Sequence, residues 1–310
     1  MLGAMDGNLE NLAKLNTEAI DSRYADIDAL STAELLREFN ESDKSVPRAV
    51  EKAIPVIADS VDAITERMKK GGRLIYIGAG TSGRLGVLDA SECIPTFSIH
   101  QGLVIALIAG GDHALRNGVE GAEDNTQSAV EELQKLKLNL QDTVIGIAAS
   151  GRTPYVIGGL KYAGSIGALT IAVSCNPESE ISKVATFGIE IDTGPEVLAG
   201  STRLKAGTAQ KLVLNMISTA VMIKLGKTYG NLMVDLQVAN EKLRNRAIRI
   251  IQTATACDEV RAKSALEESG NQVKVAIVMI LLGLTNSEAE ASLTVANSRI
   301  REVLNKVKNA

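Results

Sequence analysis

Residues 73–84 read RLIYIGAGTSGR, and this stretch decides the fold. An apolar run of strand length ends in glycine, and glycine, threonine and serine follow before a segment of helix-forming residues. A second stretch, VIGIAASGRT at 144–153, repeats the arrangement. Each loop would bring backbone N–H groups, hydroxyls and a helix N-terminus around one point, which suits an anion. The two stretches therefore predict strand, loop and helix units that form a phosphate cradle without a metal.

Length and composition exclude several classes of protein. The 310 residues are 45% hydrophobic and 23% charged, enough for one large core and a smaller unit. The net charge of -4 and the absence of tryptophan argue against a nucleic-acid-binding protein. Cys93, Cys175 and Cys257 form no CxxC pair, which predicts neither a disulfide framework nor a zinc site. No stretch of the sequence has the pattern of a signal peptide or a membrane span, so we expect a cytoplasmic protein without membrane contact.

Strand and helix patterns alternate from residue 71 to about 226. The predicted strands are 73–78, 102–109, 142–148, 168–174 and 187–192, and a long helix is predicted over 206–225. This alternation predicts an α/β fold with a parallel sheet, helices on both faces, and ligands at the carboxyl ends of the strands. Helical patterns precede it, with a capping-box signature at 31–34, and a polar stretch at 240–249 followed by short helices comes after it. We predict an N-terminal helical segment at 1–63, the α/β domain at 64–227 and a C-terminal helical domain at 240–310.

The first loop also matches the GxGxxG pattern of dinucleotide sites. Such sites need an acidic residue about twenty positions further on, which binds the ribose. The second predicted strand instead leads to Ala109, Gly110 and Gly111, and Asp112 lies too far along the chain. A tight turn alone would not explain Thr81 and Ser82 or the second hydroxyl-rich loop. The pattern therefore disfavours a nucleotide.

These segments resemble the sugar isomerase (SIS) domain and, within it, the N-acetylmuramic acid 6-phosphate etherases of bacterial cell-wall recycling. The two loops are common to SIS proteins that bind sugar phosphates, whereas the glutamate segments at 88–93 and 120–124 narrow the resemblance to the etherases. Further matching segments lie at 43–47, 174–177, 205–211 and 230–235. The resemblance implies a five-stranded SIS core, a homodimer, and a small C-terminal helical domain similar to ubiquitin-associated (UBA-like) folds.

The resemblance also implies which residues bind the sugar phosphate. The hydroxyls of Thr81, Ser82, Ser150 and Thr153 match the phosphate-binding positions. Two further candidate ligands precede or begin the long helix, namely Ser201 and Lys205. The second loop departs from the general SIS pattern, because its first serine is replaced by alanine at position 148, a trait shared with the etherases. Ile94 stands where the etherases have proline, which affects the expected loop geometry and not the chemistry.

The catalytic pair implied by the resemblance is Glu92 and Glu123. Pattern alone would assign both carboxylates to solvated or helix-capping roles. In the implied reaction, a carbon–oxygen lyase removes D-lactate by β-elimination and then adds water. We assign Glu92 as the acid, with a pKa raised by burial, and Glu123 as the ionised base at C2. No cofactor and no metal are expected. Two alternatives stay open: a non-catalytic SIS protein that senses sugar phosphates and, less favoured, a sugar-phosphate isomerase.

Overall fold

The structure, a computed structural model, describes residues 15–308 of the chain. The first fourteen residues of the predicted N-terminal segment, and the last two of the predicted C-terminal domain, lie outside the described residues. The chain divides into two compact units, Met1–Ala90 with Gly102–Ile217 and Ser91–Gln101 with Ser218–Ala310. These units do not divide at the domain boundaries predicted from the sequence, residues 63, 64, 227 and 240, and those boundaries stay predictions.

The N-terminal region is helical, as the sequence predicts. Short 3-10 turns at Ser22–Tyr24 and Ile27–Ala29 precede helices α1 (Thr32–Asp43), α2 (Ser45–Lys52) and α3 (Ile54–Lys69). The predicted capping box is present: Ser31 Oγ accepts from the N–H of Glu34, whose carboxylate accepts from the N–H of Ser31. In α3 the buried apolar side chains recur at helical spacing and form one face, with Ile57, Val61, Ile64 and Met68.

A five-stranded parallel sheet forms the centre of the first unit. Its strands are β1 (Leu74–Gly78), β2 (Val104–Ile108), β3 (Thr143–Ile147), β4 (Leu169–Ser174) and β5 (Phe187–Glu190), in the order β2-β1-β3-β4-β5. The five predicted strands are confirmed, with ends that agree within two residues. All residues of β1, β3 and β4 are buried, because helices cover the sheet and continuous apolar runs are then required.

Helices lie on both faces of this sheet. They are α4 (Gly80–Phe97), α5 (Thr126–Lys135), α6 (Pro154–Ser165), the short α7 (Glu180–Lys183) and α8 (Lys205–Lys224), which confirms the predicted long helix. Tyr76 donates its hydroxyl to Asp89 of α4. On the opposite face a Cβ at Gly159 of α6 would lie 2.4 Å from Ile77 Cδ1. Because neighbouring residues of a strand point to opposite faces, α4 and α6 cover different sides of β1.

The second unit is mainly helical, as predicted. A two-stranded antiparallel ribbon of β6 (Thr228–Tyr229) and β7 (Leu232–Met233) precedes five helices: α9 (Glu241–Thr255), α10 (Glu259–Glu268), α11 (Val273–Leu282), α12 (Asn286–Val295) and α13 (Ile300–Lys308). The polar stretch 240–249 belongs to α9, so its reading as a segment before the helices is wrong. Asn240 caps this helix, and Ala247, Ile248 and Ile251 bury one face of it.

Each helix of residues 15–308 is too short or too polar to cross a bilayer by itself. Helices α11 and α12 reach the required length and composition only together, and they are bent by 103° relative to each other.

Candidate active site

The two hydroxyl-rich loops follow neighbouring strands at the point where the strand order of the sheet reverses. From β1 the chain moves to β2 on one side, and β3 lies on the other side of β1. Gly78 and Ile147, the last residues of β1 and β3, are partners in the register. The segments that follow them therefore leave neighbouring strands at the same level. Ligands of parallel α/β sheets bind in this kind of crevice.

The first loop leads directly into α4. Gly83 donates its N–H to Ala79 O at 3.1 Å, which leaves the N–H groups of residues 80–82 outside the helical ladder. The turn is so tight that a Cβ at Gly83 would lie 2.7 Å from Gly78 O. Glycine is needed here because the loop must close onto the end of β1. The N-terminus of an 18-residue helix with Thr81 and Ser82 in its first turn is suited to bind an anion.

The second loop offers hydroxyls that the local backbone does not fully use. Ser150 Oγ accepts from the N–H of Arg152 at 3.3 Å. Thr153 is the residue before α6, yet its side chain makes no capping hydrogen bond. Gly151 has φ +72°, and a Cβ there would lie 2.4 Å from Ser179 Cβ. The alanine at 148 is only 2% exposed and packs in the core of the first unit, so a serine hydroxyl at that position would be buried.

The start of α8 carries a buried carboxylate. Glu196 is 1% exposed and accepts from the N–H groups of Lys205 and Ala206, both at 2.9 Å. The N-terminus of α8 is therefore satisfied by the protein itself and is not a free anion site. Burial lowers the pKa of Lys205, and the charge of Glu196 acts in the opposite direction. Ser201 lies half-buried in the turn before this helix.

The first loop packs against the first turns of α8. A Cβ at Gly207 would lie 3.5 Å from Thr81 Cγ2. Ser82 Oγ lies 3.0 Å from Gln210 Oε1, and the two residues are 7% and 1% exposed. The structure thus brings Thr81 and Ser82 together with the helix that begins at Lys205. Gln210 lies in the segment 205–211 that carries the resemblance, but nothing in the sequence pattern assigned it a role.

Glu123 and the first loop line one cavity of about 240 Å³. Ala79 and Gly80 form one part of its wall, and residues 117–123 form another. Glu123 lies in a short 3-10 turn, Ala122–Asp124, and its side chain is exposed. Glu120 lines the same cavity. One of the two predicted catalytic carboxylates is therefore adjacent to the predicted phosphate loop.

Arg84 holds the segment that leads to Glu123. Its guanidinium donates to the carbonyl oxygens of Ala114 at 2.7 Å, Leu115 at 3.0 Å and Asn117 at 3.1 Å. Three such bonds fix the direction of this planar side chain, so we assign it to the shape of the cavity wall.

Comparison with known proteins identifies the family. The chain is 54% identical to an N-acetylmuramic acid 6-phosphate etherase of Rhizobium rhizogenes, over 96% of each chain. It is also 54% identical to that of Caldanaerobacter subterraneus, over 94% of this chain and 96% of the relative, and 52% identical to that of Escherichia fergusonii, over 95% and 99%. The chain belongs to the N-acetylmuramic acid 6-phosphate etherase family. The resemblance inferred from the two loops and the glutamate segments is confirmed.

Models of protein domains also match parts of the chain, and these matches agree with its membership of the etherase family. The SIS domain matches residues 125–220, and the N-terminal SIS domain of glucokinase regulatory protein matches 56–164. The C-terminal lid domain of glucokinase regulatory protein matches 230–274. Solved structures with a related arrangement include a phosphoheptose isomerase of Francisella tularensis, with a TM-score of 0.48 and 16% identity over 61% of this chain and 98% of that one.

Glu92, the second predicted catalytic carboxylate of this etherase family member, lies on α4. It belongs to the segment 91–101 of the second unit, and its side chain is exposed, so the burial expected for the acid is not seen in the chain alone. One turn earlier, Asp89 is 5% exposed and accepts from Tyr76 Oη at 2.8 Å and Asn215 Nδ2 at 2.7 Å. Among residues 15–308 no group of three or more His, Cys, Asp or Glu could hold a metal ion.

Proposed function

We propose that this protein cleaves the D-lactyl ether of N-acetylmuramic acid 6-phosphate and releases N-acetylglucosamine 6-phosphate and D-lactate. The observation that carries the proposal is the cavity shared by Glu123 and the first hydroxyl-rich loop. A phosphate held by that loop would bring the sugar carbons towards a carboxylate. The near full-length similarity to the etherases supports the same substrate class.

The sugar phosphate is bound by the two loops at the strand-order reversal. The N–H groups at the start of α4 donate to phosphate oxygens, together with the hydroxyls of Thr81, Ser82, Ser150 and Thr153. The backbone N–H groups of Lys205 and Ala206 are bonded to the Glu196 carboxylate, so the N–H groups that remain for the phosphate are those of α4. Ser201 and Lys205 are further ligands in this proposal, since the same helix packs on the first loop.

The chemistry requires both a base and an acid. When the sugar ring opens, the aldehyde at C1 makes the C2 proton acidic, and Glu123 removes it. The electron pair forms the C2–C3 double bond while the C3–O bond breaks, and Glu92 protonates the ether oxygen so that lactate leaves as an alcohol. Water then adds to the unsaturated aldehyde: its oxygen bonds to C3 as Glu92 takes a proton, and Glu123 returns a proton to C2. The net change is the replacement of the lactyl ether by a hydroxyl.

The second candidate function is sensing of a sugar phosphate without turnover. Two family models named for glucokinase regulatory protein match residues 56–164 and 230–274, and these matches are compatible with either function. The etherase similarity covers nearly the whole chain and favours the enzyme. Release of lactate separates the two.

We further propose that the protein is a cytoplasmic homodimer that serves amino sugar catabolism and peptidoglycan recycling. Leu88 of α4 and Met216 of α8 support an interface, since they are 51% and 41% exposed although both are large and apolar. Sedimentation of the purified protein measures the state of assembly. A monomer at micromolar concentration would contradict the dimer and leave the reaction untouched.

The deciding experiment measures lactate release in deuterated or oxygen-18 water. The wild type should free D-lactate and carry solvent deuterium at C2 and solvent oxygen at C3. Glu92→Ala and Glu123→Ala should each lose turnover by several orders of magnitude, whereas Glu131→Ala, an exposed glutamate of α5, should not. Sugar phosphate binding without lactate release by the wild type would establish the sensor instead.

A further inference from the structure

The side chain of Gln210 is a buried polar group with an incomplete set of partners. Its Oε1 lies 3.0 Å from Ser82 Oγ. Its Nε2 is fully buried and has no hydrogen-bond partner in the described part of the chain. Gln210 is 1% exposed, so water cannot easily satisfy this donor. An unused donor beside a phosphate-loop hydroxyl points to a function for the amide.

The direction of the hydrogen bond between these two side chains decides what Ser82 can do. A hydroxyl has one proton, and when Ser82 donates it to Gln210 Oε1 it has none left for a ligand. A phosphate dianion offers only acceptors, so Ser82 could then meet it only through its backbone N–H. If the side-chain amide of Gln210 rotates by half a turn, Nε2 takes the place of Oε1 and donates to Ser82 Oγ. The proton of the Ser82 hydroxyl is then free to bind a ligand.

We propose that Gln210 is a positioning residue that directs the Ser82 hydroxyl to the substrate phosphate. In the bound state Gln210 Nε2 donates to Ser82 Oγ, and Ser82 donates to a phosphate oxygen. The buried donor thereby gains its partner, and only the carbonyl oxygen of the amide, a less demanding group, is left without one. This inference rests on the proposed binding of a sugar phosphate by the first loop.

The surroundings of Gln210 keep it in place for this role. It lies on the second turn of α8, whose first turn is fixed by the carboxylate of Glu196. Gly207, one turn before Gln210, packs against Thr81. Two contacts, from Gly207 to Thr81 and from Gln210 to Ser82, hold the helix at the loop. Rotation of the amide therefore changes a hydrogen bond without moving the backbone.

The test compares two substitutions that keep the size of the side chain. Gln210→Met removes both polar atoms, and Gln210→Glu keeps an acceptor but adds a charge and removes the donor. Calorimetric titration with N-acetylglucosamine 6-phosphate and with inorganic phosphate measures the dissociation constants without need of turnover. Gln134→Met, the same change at an exposed glutamine of α5, is the matched control.

We expect Gln210→Met to weaken binding of both phosphates severalfold, the size expected for loss of the neutral hydrogen bond from Gln210 Nε2 that directs the Ser82 hydroxyl. Gln210→Glu should weaken it further, because a carboxylate holds the Ser82 proton and repels the anion. The KM for lactate release should rise in parallel while kcat changes little. In a Ser82→Ala background, Gln210→Met should have no further effect, since the amide acts through that hydroxyl.

Three results would overturn the proposal: unchanged dissociation constants in both Gln210 variants, a fall in kcat at constant affinity, or full additivity with Ser82→Ala. If Gln210→Met fails to fold, Gln210→Glu and its combination with Ser82→Ala carry the same comparison. If the wild type releases lactate and the Gln210 variants bind both phosphates as tightly as the wild type does, this inference alone is refuted. If the Gln210 variants show the expected loss of phosphate binding but the wild type releases no lactate, the proposed function alone is refuted.

Discussion

Gly151 of the second loop should tolerate no side chain, and its replacement by alanine tests the loop geometry directly. The residue has φ +72°, a conformation that costs an L-residue about 1–2 kcal/mol. A Cβ at this position would also lie 2.4 Å from Ser179 Cβ, much closer than real Cβ atoms come. Forcing the two apart adds about 1–3 kcal/mol, as in an overpacked core. The expected loss in the free energy of unfolding is therefore about 2–5 kcal/mol.

Gly194→Ala separates the two contributions to this loss. Gly194 has φ +64°, and nothing lies within 4 Å of its added Cβ, so only the backbone cost of about 1–2 kcal/mol remains. Urea unfolding of both variants gives the difference, and the KM for the sugar phosphate should rise only for Gly151→Ala, because Ser150 and Thr153 move with the loop. Equal losses in the two variants, within about 0.5 kcal/mol, would refute the steric argument.

Three other changes follow from buried charges. Asp142→Asn should lower the free energy of unfolding by about 3 kcal/mol, because the buried Asp142 carboxylate lies 2.6 Å from the guanidinium of Arg73, the residue before β1. Burial acts to raise the pKa of Asp142, but the hydrogen bonds that its carboxylate accepts outweigh burial and lower the pKa. The contribution of Asp142 to stability is therefore complete above the unfolded pKa of about 3.9 and is lost as the pH falls towards the folded pKa. Urea unfolding at a series of pH values measures this loss. Glu196→Gln removes the negative charge that favours protonated Lys205. When sugar-phosphate binding is titrated towards alkaline pH, the variant should therefore lose binding at a lower pH than the wild type. Lys274→Met should lower the thermal midpoint of the protein, because Lys274 Nζ lies 2.8 Å from Asp235 in the second unit and its loss leaves that carboxylate with a weaker partner.

Much of the fold could be predicted because its signals are local. Continuous apolar runs marked the buried strands, and the serine and glutamate at 31 and 34 marked a helix start, since each depends on neighbours in sequence. The polar stretch at 240–249 was misjudged because its few apolar residues, among them Ala247 and Ile248, decide the helix through one buried face. Composition averaged over ten residues hides such a face.

The sequence predicts the loops of the candidate site but not the residues that support them. Thr81 and Thr153 are predicted as ligands because glycine and hydroxyl residues follow recognisable strands, and their role in binding stays a prediction. Gln210 was not predicted because its partner Ser82 lies in a distant segment, and Glu196 was not predicted because its two bonds cross an irregular turn that has no recognised sequence pattern. The three carbonyl partners of Arg84 assign it to the wall of the cavity, and these contacts too are visible only in the structure.

The carboxylates beside the first loop bear on the choice between an enzyme and a sensor. Glu120 and Glu123 line a cavity together with Ala79 and Gly80 of the first loop. A negative charge near a bound phosphate weakens binding, by about 1 kcal/mol at 4 Å even when water screens it fully. A protein selected only to hold a sugar phosphate gains nothing from this repulsion, whereas a lyase needs an ionised base close to C2. Glu123→Gln should therefore bind N-acetylglucosamine 6-phosphate severalfold more tightly than the wild type while lactate release stops, and weaker binding in that variant would instead assign Glu123 to substrate recognition.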